Sequence, residues 1–359
     1  MTTSKTLRAG VIGCGAIGQR GHIPGLKAAG VDVIAVCDSN LPRAKETAES
    51  NGIANYYGHY SELIANDDID LVTIGLPNAL HASVSISALQ AGKHVLCEKP
   101  MSITSADAAA MIEASKQAGK LLSINQHMRF DGASLAMRDA VAGGTFGRVY
   151  LTDVRMVRTN GIPGFGSWFT NKDLAGAGAL FDIGVHMLDL AMFISGFPEV
   201  QAVKGYLSSA LGEQKLGLGG WGIDRGAKGR FDVDDTAMAF LTLANGGVIR
   251  LIVTWAAMGL SEERVIVNGT QGGADRSPLI YGNETPLKFY KADENGNIDG
   301  YVPDMSAYQG GGWIKAIASF ADAVRGDSPL LVLPEQALLT TRILEKIRES
   351  AASGKEVAF

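Results

Sequence analysis

The chain has 359 residues, 46% of them hydrophobic and 19% charged, which is ordinary for a globular protein and long enough for two domains. Lys plus Arg number 32 and Asp plus Glu 37, so the formal net charge is −5 and a nucleic acid is not the expected partner. Three cysteines, Cys14, Cys37 and Cys97, are odd in number and lack zinc-ligand spacing, so they read as buried thiols in a reducing compartment and no metal site is expected.

Met1 to Thr6 is polar and leads straight into a strand, and no apolar run is read as approaching the length of a bilayer span, so a cytoplasmic protein without a membrane partner is expected. Leu7 to Ile12 is a short apolar run. Gly13-Cys14-Gly15-Ala16-Ile17-Gly18 follows, then a helical segment towards Ala29 and a second strand, Val31 to Val36, closed by Asp38. Strand, Gly-x-Gly-x-x-Gly, helix, strand and acid is the order that binds a dinucleotide. The glycines allow a tight turn and close approach of a pyrophosphate to the helix N-terminus, and the acid accepts from a ribose hydroxyl. The competing reading is a glycine turn that only packs helix on strand. Pro24 should kink or split the first helix, because it removes a helix hydrogen bond.

The alternation continues with helices over Leu41 to Ser50 and Tyr60 to Asn66, a strand over Asp70 to Leu76 and a helix over Asn78 to Ala91. Lys93 to Cys97 is the next strand, Ser105 to Ala118 a helix and Leu121 to Gln126 a strand. Strands alternating with helices at this spacing predict a doubly wound parallel sheet. Glu98-Lys99-Pro100 then sits at the carboxyl end of a strand, where such sheets bind ligands. An ordinary surface Lys in a turn is the other reading. Asn78 either lines the same end or caps the next helix, and His81 either joins it or lies on that helix's first turn. Arg129 reads as a site residue or as a surface charge.

The regular alternation stops near Met128, which divides the chain into a first domain over 1–127 and a second over 128–359. Val149 to Arg158 is a longer strand, followed by a loop with Gly161, Gly164 and Gly166 that ends in Trp168-Phe169. A strongly apolar helix runs from about Ala179 to Ser195, with Asp182, His186 and Asp189 as its polar residues at i, i+4 and i+7. A helix apolar nearly all round is buried, so this stripe faces partners or a cavity. A self-satisfied Asp–His pair in the core is one alternative; a metal site is a weaker one, because this spacing offers too few ligands without distant help. Val200 to Leu207 is a strand, and Ser208 to Asp234 reads as a structureless loop with seven glycines, Trp221, Arg225 and Arg230. Thr236 to Leu243 and Val248 to Ala256 flank Asn245-Gly246-Gly247 as a hairpin, and the second strand is apolar on both faces. Arg264 to Asn268 is a further strand, and Gln309 to Arg325 and Glu335 to Ser350 are the terminal helices.

Taken together, Gly13 to Gly18, Pro77-Asn78-Ala79-Leu80-His81, Glu98-Lys99-Pro100, Arg129-Phe130 and Asp182-Ile183-Gly184-Val185-His186-Met187-Leu188-Asp189 resemble the family of glucose–fructose oxidoreductase, inositol dehydrogenase and the rhizopine-catabolism oxidoreductases (Gfo/Idh/MocA), over essentially the whole chain. Gly176-Ala177-Gly178-Ala179 replaces the three-glycine run common in that family. The resemblance implies an α/β fold: an N-terminal Rossmann domain, then an α/β domain with a large open, mostly antiparallel sheet that often makes the oligomer contact. It implies NAD as cofactor, with NADP possible, and a small carbohydrate or cyclitol substrate handled by a homodimer or homotetramer. Carried over by residue, Lys99 and His186 are the proton-handling pair, supported by Asp182. Gly13, Gly15, Ala16, Ile17, Gly18, Asp38, Pro77, Asn78, His81, Glu98, Lys99 and Gln126 would contact the cofactor. Lys99, Arg129, Arg155, Trp168, Asp182 and His186 would contact substrate, and Lys99–Pro100 would be a cis peptide. Trp168 would lie against an apolar ring face, or else fill the core.

The resemblance also opens two other functions. Some relatives cleave glycosides through transient oxidation by bound NAD, and others sense dinucleotide without chemistry. Retention of Lys99, Asp182 and His186 disfavours the sensor.

Overall fold

A computed structural model describes residues 6–222, 229–276 and 287–359. The first strands are β1 (Arg8–Ile12), β2 (Asp32–Cys37), β3 (Asn55–Tyr57), β4 (Leu71–Ile74), β5 (His94–Cys97) and β6 (Leu122–Ile124). They form one parallel sheet in the order β3-β2-β1-β4-β5-β6, the doubly wound order with its switch point between β1 and β4. The strands are short and apolar because helices cover both faces of such a sheet: α1 (Ile23–Ala28), α2 (Leu41–Asn51), α3 (Tyr60–Ile64), α4 (His81–Gln90) and α5 (Ser105–Ala118). Asn40 caps α2 and Thr104 caps α5 through their side-chain oxygens, and Gly52 and Gly119 end those helices in the left-handed conformation. The expected split at Pro24 is present. A π-helical turn, Gly18–His22, precedes α1, and Pro24 occupies the first turn of α1, where its missing N–H costs nothing.

The second unit begins with α6 (Gly132–Ala142), β7 (Val149–Val157), α7 (Lys172–Ala175) and α8 (Val185–Ile194). Strands β8 (Val200–Ser208), β9 (Thr236–Leu243), β10 (Val248–Thr254), β11 (Glu262–Gly269), β12 (Gly273–Arg276), β13 (Lys288–Ala292) and β14 (Ile298–Tyr301) follow. The chain then forms α9 (Gly312–Arg325), α10 (Pro334–Ser353) and β15 (Val357–Ala358). Among the described residues the second sheet has nine strands in the order β14-β13-β12-β11-β7-β10-β9-β8-β15, antiparallel except for the β7–β10 pair. The fold is therefore the expected α/β pair of sheets. The β9–β10 hairpin turns at Gly246, whose φ of +76° favours glycine, while Asn245 accepts from the Gly247 amide.

The first compact unit comprises Met1–His127 and Gly311–Thr341, and the second Met128–Gly310 and Arg342–Phe359. The return of the chain to the first unit is not apparent when the sequence is taken in order. It is built by packing: Ile317, Phe320 and Ala321 of α9 join the core that contains Val11, Ile23, Leu26 and Val36. A Cβ at Gly25 would meet Ile317 Cδ1 at 2.5 Å, so the glycine lets α1 and α9 approach. Ser123 donates to the Val332 carbonyl at 2.9 Å.

In the second unit all ten residues of α8 are buried. Val154 and Met156 of β7 are buried among the core residues, and Thr152 Oγ1 lies 3.0 Å from Ser195 Oγ at the end of α8. The stretch Lys172–Ile194 is long and apolar enough by composition to cross a bilayer, which corrects the reading that no run approaches that length; 94% of its apolar window is buried inside the protein, as in a core helix. On β10, Ile249, Leu251 and Val253 are fully buried, whereas Val248, Arg250 and Ile252 on the other face are half-buried. In register with Ile252 and Arg250 on that open face lie Met238, Phe240 and Tyr206, 41%, 43% and 56% exposed. The loop from Ser208 to Asp234 is not structureless in its described part. It zips against the Gly161–Thr170 loop through Ile162 N to Gly217 O, Gly219 N to Ile162 O and Gly164 N to Trp221 O. Arg225 lies outside the described residues.

Candidate active site

The glycine turn after β1 has three distinct jobs. Gly13 has φ +103°, and a Cβ there would stand 2.3 Å from the Gly75 carbonyl oxygen. A Cβ on Gly18 would stand 2.0 Å from Gly13 O, so this glycine lets the π-helical turn sit on the loop. A Cβ on Gly15 would meet nothing within 4 Å, and Gly15, Ala16 and Ile17 are half-buried rather than buried. This is the division of labour a pyrophosphate needs: tight turn, open approach, close packing. Asp38, at the end of β2, is held in place by the Cys14 amide on Oδ2 at 3.0 Å and the Asn40 amide on Oδ1 at 2.8 Å. The Arg43 guanidinium stands 3.6 Å from Oδ2. Burial pushes the Cys14 and Cys37 thiols up to about 11 and about 12, so both are unreactive, and all three cysteines are buried and free.

Beyond β5, from Val95 to Ser102, Lys99 alone is not buried. The Lys99–Pro100 peptide is cis. Beneath it, Glu98 Oε1 accepts from Asn125 Nδ2 at 2.7 Å and lies 3.0 Å from His22 Nε2, the last residue of the π-helical turn. Burial alone would raise the Glu98 carboxyl; the bond and charge of His22, the charge of Lys99 and the Asn125 bond outweigh it and hold it at about 2. Glu98 is thus a buried anion beside Lys99. Asn78 and Gln126 are buried at neighbouring strand ends, and Pro77 is half-buried before the 3₁₀ turn Asn78–Leu80. Both ring nitrogens of His81 are spent on main-chain carbonyls, Nδ1 on Pro100 O at 2.7 Å and Nε2 on Leu76 O at 2.9 Å. The ring is 1% exposed, so the expected cofactor contact gives way to a bridge between two loops.

In the second unit, the helix that carries Asp182 opens with a π-helical turn, Leu180–Gly184, before α8. Such turns are frequent at functional sites because they change the phase of the side chains that follow. Asp182 is the one residue from Phe181 to Ile194 that is not buried, and Trp255 Nε1 donates to its Oδ2 at 2.8 Å. His186 is 8% exposed. The third member of the polar stripe departs from expectation. Asp189 accepts from Arg129 Nε on Oδ2 at 2.7 Å and from Arg129 Nη2 on Oδ1 at 2.6 Å, with the Phe193 and Phe197 rings about the guanidinium. Arg129 is fully buried in this bidentate pair, which removes it both as a surface charge and as a substrate contact.

Arg155 is a second correction. Thr152, Val154 and Met156 of β7 are buried, and Thr152 reaches Ser195 at the end of α8, so alternation turns Arg155 to the opposite face of the sheet. There it bonds Asp153 at 2.9 Å and pairs with Glu262 at 3.7 Å. Trp168 is half-buried and stacks on Phe169 with centroids 3.8 Å apart, so it does not fill the core.

Two supports were not apparent in the sequence. Asp234 Oδ1 accepts from Gly178 N and Oδ2 from Leu180 N, both at 2.8 Å, capping the helix that presents Asp182 and His186. Gly178 is required there, since a Cβ would meet Asp234 O at 1.9 Å. Trp255, which fixes Asp182, reads in sequence only as one more apolar residue of a strand. Among the described residues, no group of three His, Cys, Asp or Glu side chains is placed to hold a metal ion.

The oxidoreductase family with an NAD-binding Rossmann fold matches residues 7–126, and the Gfo/Idh/MocA C-terminal domain matches residues 134–275. D-glucoside 3-dehydrogenase of Escherichia coli (strain K12) is 30% identical over 99% of this chain and 98% of its own length. A levoglucosan dehydrogenase solved in complex with NADH is 25% identical, with a TM-score of 0.84 over 99% of both chains. Aldose-aldose oxidoreductase from Caulobacter crescentus, solved with glycerol, is 26% identical, with a TM-score of 0.81 over 99% of this chain and 100% of that one. Residues 7–126 are an NAD-binding Rossmann domain.

Proposed function

Since the chain belongs to the Gfo/Idh/MocA oxidoreductase family, we propose that it is an NAD-dependent dehydrogenase acting on a secondary alcohol or ketone of a sugar, sugar derivative or cyclitol. The observation that carries this reading is the selective exposure of Lys99 and Asp182, each the one residue not buried in its segment. The relatives named as sugar dehydrogenases and the glycerol and NADH complexes support the substrate class and cofactor.

NAD would rest on the amides of Gly13 to Gly18, with a ribose on Asp38 and the nicotinamide end near Asn78, Lys99 and Gln126; when bound, it supplies the hydride acceptor. The chain supplies the proton chemistry. Lys99 and His186 take up and return the hydroxyl proton, and Asp182, fixed by Trp255, orients the imidazole. Glu98 and Asn125 hold the floor under Lys99. Trp168 offers an apolar face to the substrate ring. The three buried thiols fit a reducing compartment such as the cytoplasm. The test is a panel of sugars, glucosides and cyclitols, following reduced nicotinamide and released aglycone together. Reduced nicotinamide with at least one member supports the reading; aglycone release without it favours cleavage by transient oxidation; NAD binding with neither favours a sensor.

NAD should be preferred over NADP. The Asp38 carboxylate suits a ribose 2′-hydroxyl and repels a 2′-phosphate. Asp38→Asn removes that repulsion, so the ratio of kcat/KM for NAD to that for NADP should fall about 10- to 10²-fold, the worth of one charged hydrogen bond. Equal efficiency with both cofactors in the unaltered protein contradicts this assignment.

The protein is expected to be a homo-oligomer built on the open face of the nine-stranded sheet. Tyr206, Met238 and Phe240 form an apolar patch there, around Asp153 with its partners Arg155 and Arg250. Exposed apolar patches of this kind mark association surfaces. Light scattering at micromolar concentration should give at least a dimer, and Phe240→Lys should shift it towards monomer. A monomeric unaltered protein rules the surface out.

A further inference from the structure

We infer that His81 is a positioning residue that pins the Lys99 turn to the exit of β4, and that the pin is complete only when its imidazole carries both ring protons. The inference rests on the reading of Lys99 given above. Its geometric basis is the pair of contacts to Pro100 O at 2.7 Å and Leu76 O at 2.9 Å. Both partners are carbonyl oxygens, which only accept. A neutral imidazole has one N–H and one lone pair, so in that state one contact sets a lone pair against a carbonyl oxygen at hydrogen-bond distance. The imidazolium donates to both.

The two carbonyls belong to separate loops. Leu76 lies two residues beyond β4, and Pro100 follows Lys99 directly. His81 opens α4, a helix seated on the same strands, so the ring is a fixed post to which the turn is tied. The charged groups that bear on the ring are Glu98 and Lys99; the carboxylate favours the second proton and the ammonium opposes it. Burial is the largest influence and sets the ring below the ordinary histidine range, with the Pro100 and Leu76 carbonyls pulling the other way. On raising the pH from the acid side, the ring therefore loses one proton and the turn loses one of its two ties. A His so placed senses pH through a hydrogen bond, and Lys99 is the residue that moves with it.

The test uses the full chain labelled with ¹⁵N in histidine and the backbone. Both His81 ring nitrogens should carry protons at the acid end of the folded range. The second proton should leave in one step, and the Lys99 and Met101 amides should shift in that same step. In His81→Gln, which reaches one carbonyl but not both, the amide step should vanish; at the acid end of the range, where the unaltered ring holds both ties, kcat should fall roughly 10- to 10²-fold, as expected for a misplaced catalytic group, while NAD affinity by fluorescence titration stays nearly unchanged. A ring that holds one neutral tautomer across the range overturns the inference, as does wild-type turnover of His81→Gln at that acid end. If His81→Gln does not fold, the titration of the unaltered protein decides alone. Lys99→Ala separates the two readings. Its inactivity beside a His81 ring that never gains the second proton removes the pin and leaves the role of Lys99 standing. Its full activity beside a coupled His81 step removes the role of Lys99 and leaves the pin.

Discussion

Lys99→Ala and His186→Ala should each lower kcat by about 10²- to 10⁴-fold, the usual cost of removing a general acid or base. NAD affinity should change little, because the Gly13 to Gly18 turn and Asp38 are intact in both variants. Groups that act as a unit are strongly non-additive, so the double variant should be far less damaged than the product of the two losses. Asp182→Asn should cost less than either, since Trp255 can still donate to the amide oxygen. Steady-state kinetics on the best substrate of the panel check all four variants. Near wild-type turnover in either single variant removes that residue from the mechanism, and fully multiplicative losses mean the two act independently.

The largest effect on stability should come from Asp189. Asp189→Ala takes the paired carboxylate away from the Arg129 guanidinium, which is fully buried between aromatic rings, and breaking a buried ion pair on one side costs about 3–5 kcal/mol. The expected result is a large fall in the urea midpoint with the slope unchanged. Removing both charges together, as in Arg129→Met with Asp189→Leu, should recover much of the loss, because no uncompensated charge is then left inside. Arg230–Asp173 provides the contrast. Its side chains are 57% and 74% exposed, so Arg230→Ala should cost about 1 kcal/mol or less. Equal losses at the two sites would contradict the role assigned to burial.

What could be read from the sequence follows from how local each feature is. Gly13, Gly15, Gly18 and Asp38 belong to one strand–turn–helix–strand unit, so their spacing alone announces the dinucleotide turn. Lys99 and the Asp182 helix stand out because polar residues interrupt apolar runs. The supports are distant in sequence instead. Trp255 reaches Asp182 across 73 residues, Asp234 caps Leu180 across 54, and Arg129 meets Asp189 across 60. No local pattern encodes those pairings, so helical spacing groups Asp189 with His186, whereas the structure pairs Asp189 with Arg129. Arg155 shows the opposite case. The alternation of Val154, Arg155 and Met156 already turns Arg155 away from the helix, against the substrate contact that the family resemblance implies. Strand β3 has only three residues, and β14 is exposed throughout, so neither shows the alternation that marks a strand.

In the function proposed above, NAD bound to this chain oxidises a sugar or cyclitol hydroxyl whose proton Lys99 handles. Rapid mixing of the NAD-loaded protein with the best substrate of the panel, followed by absorbance of reduced nicotinamide within the first turnover, tests it most directly. A burst approaching one reduced nicotinamide per subunit is expected in the unaltered protein and almost none in Lys99→Ala. A full burst in Lys99→Ala, or no burst in the unaltered protein with NAD bound, would contradict it.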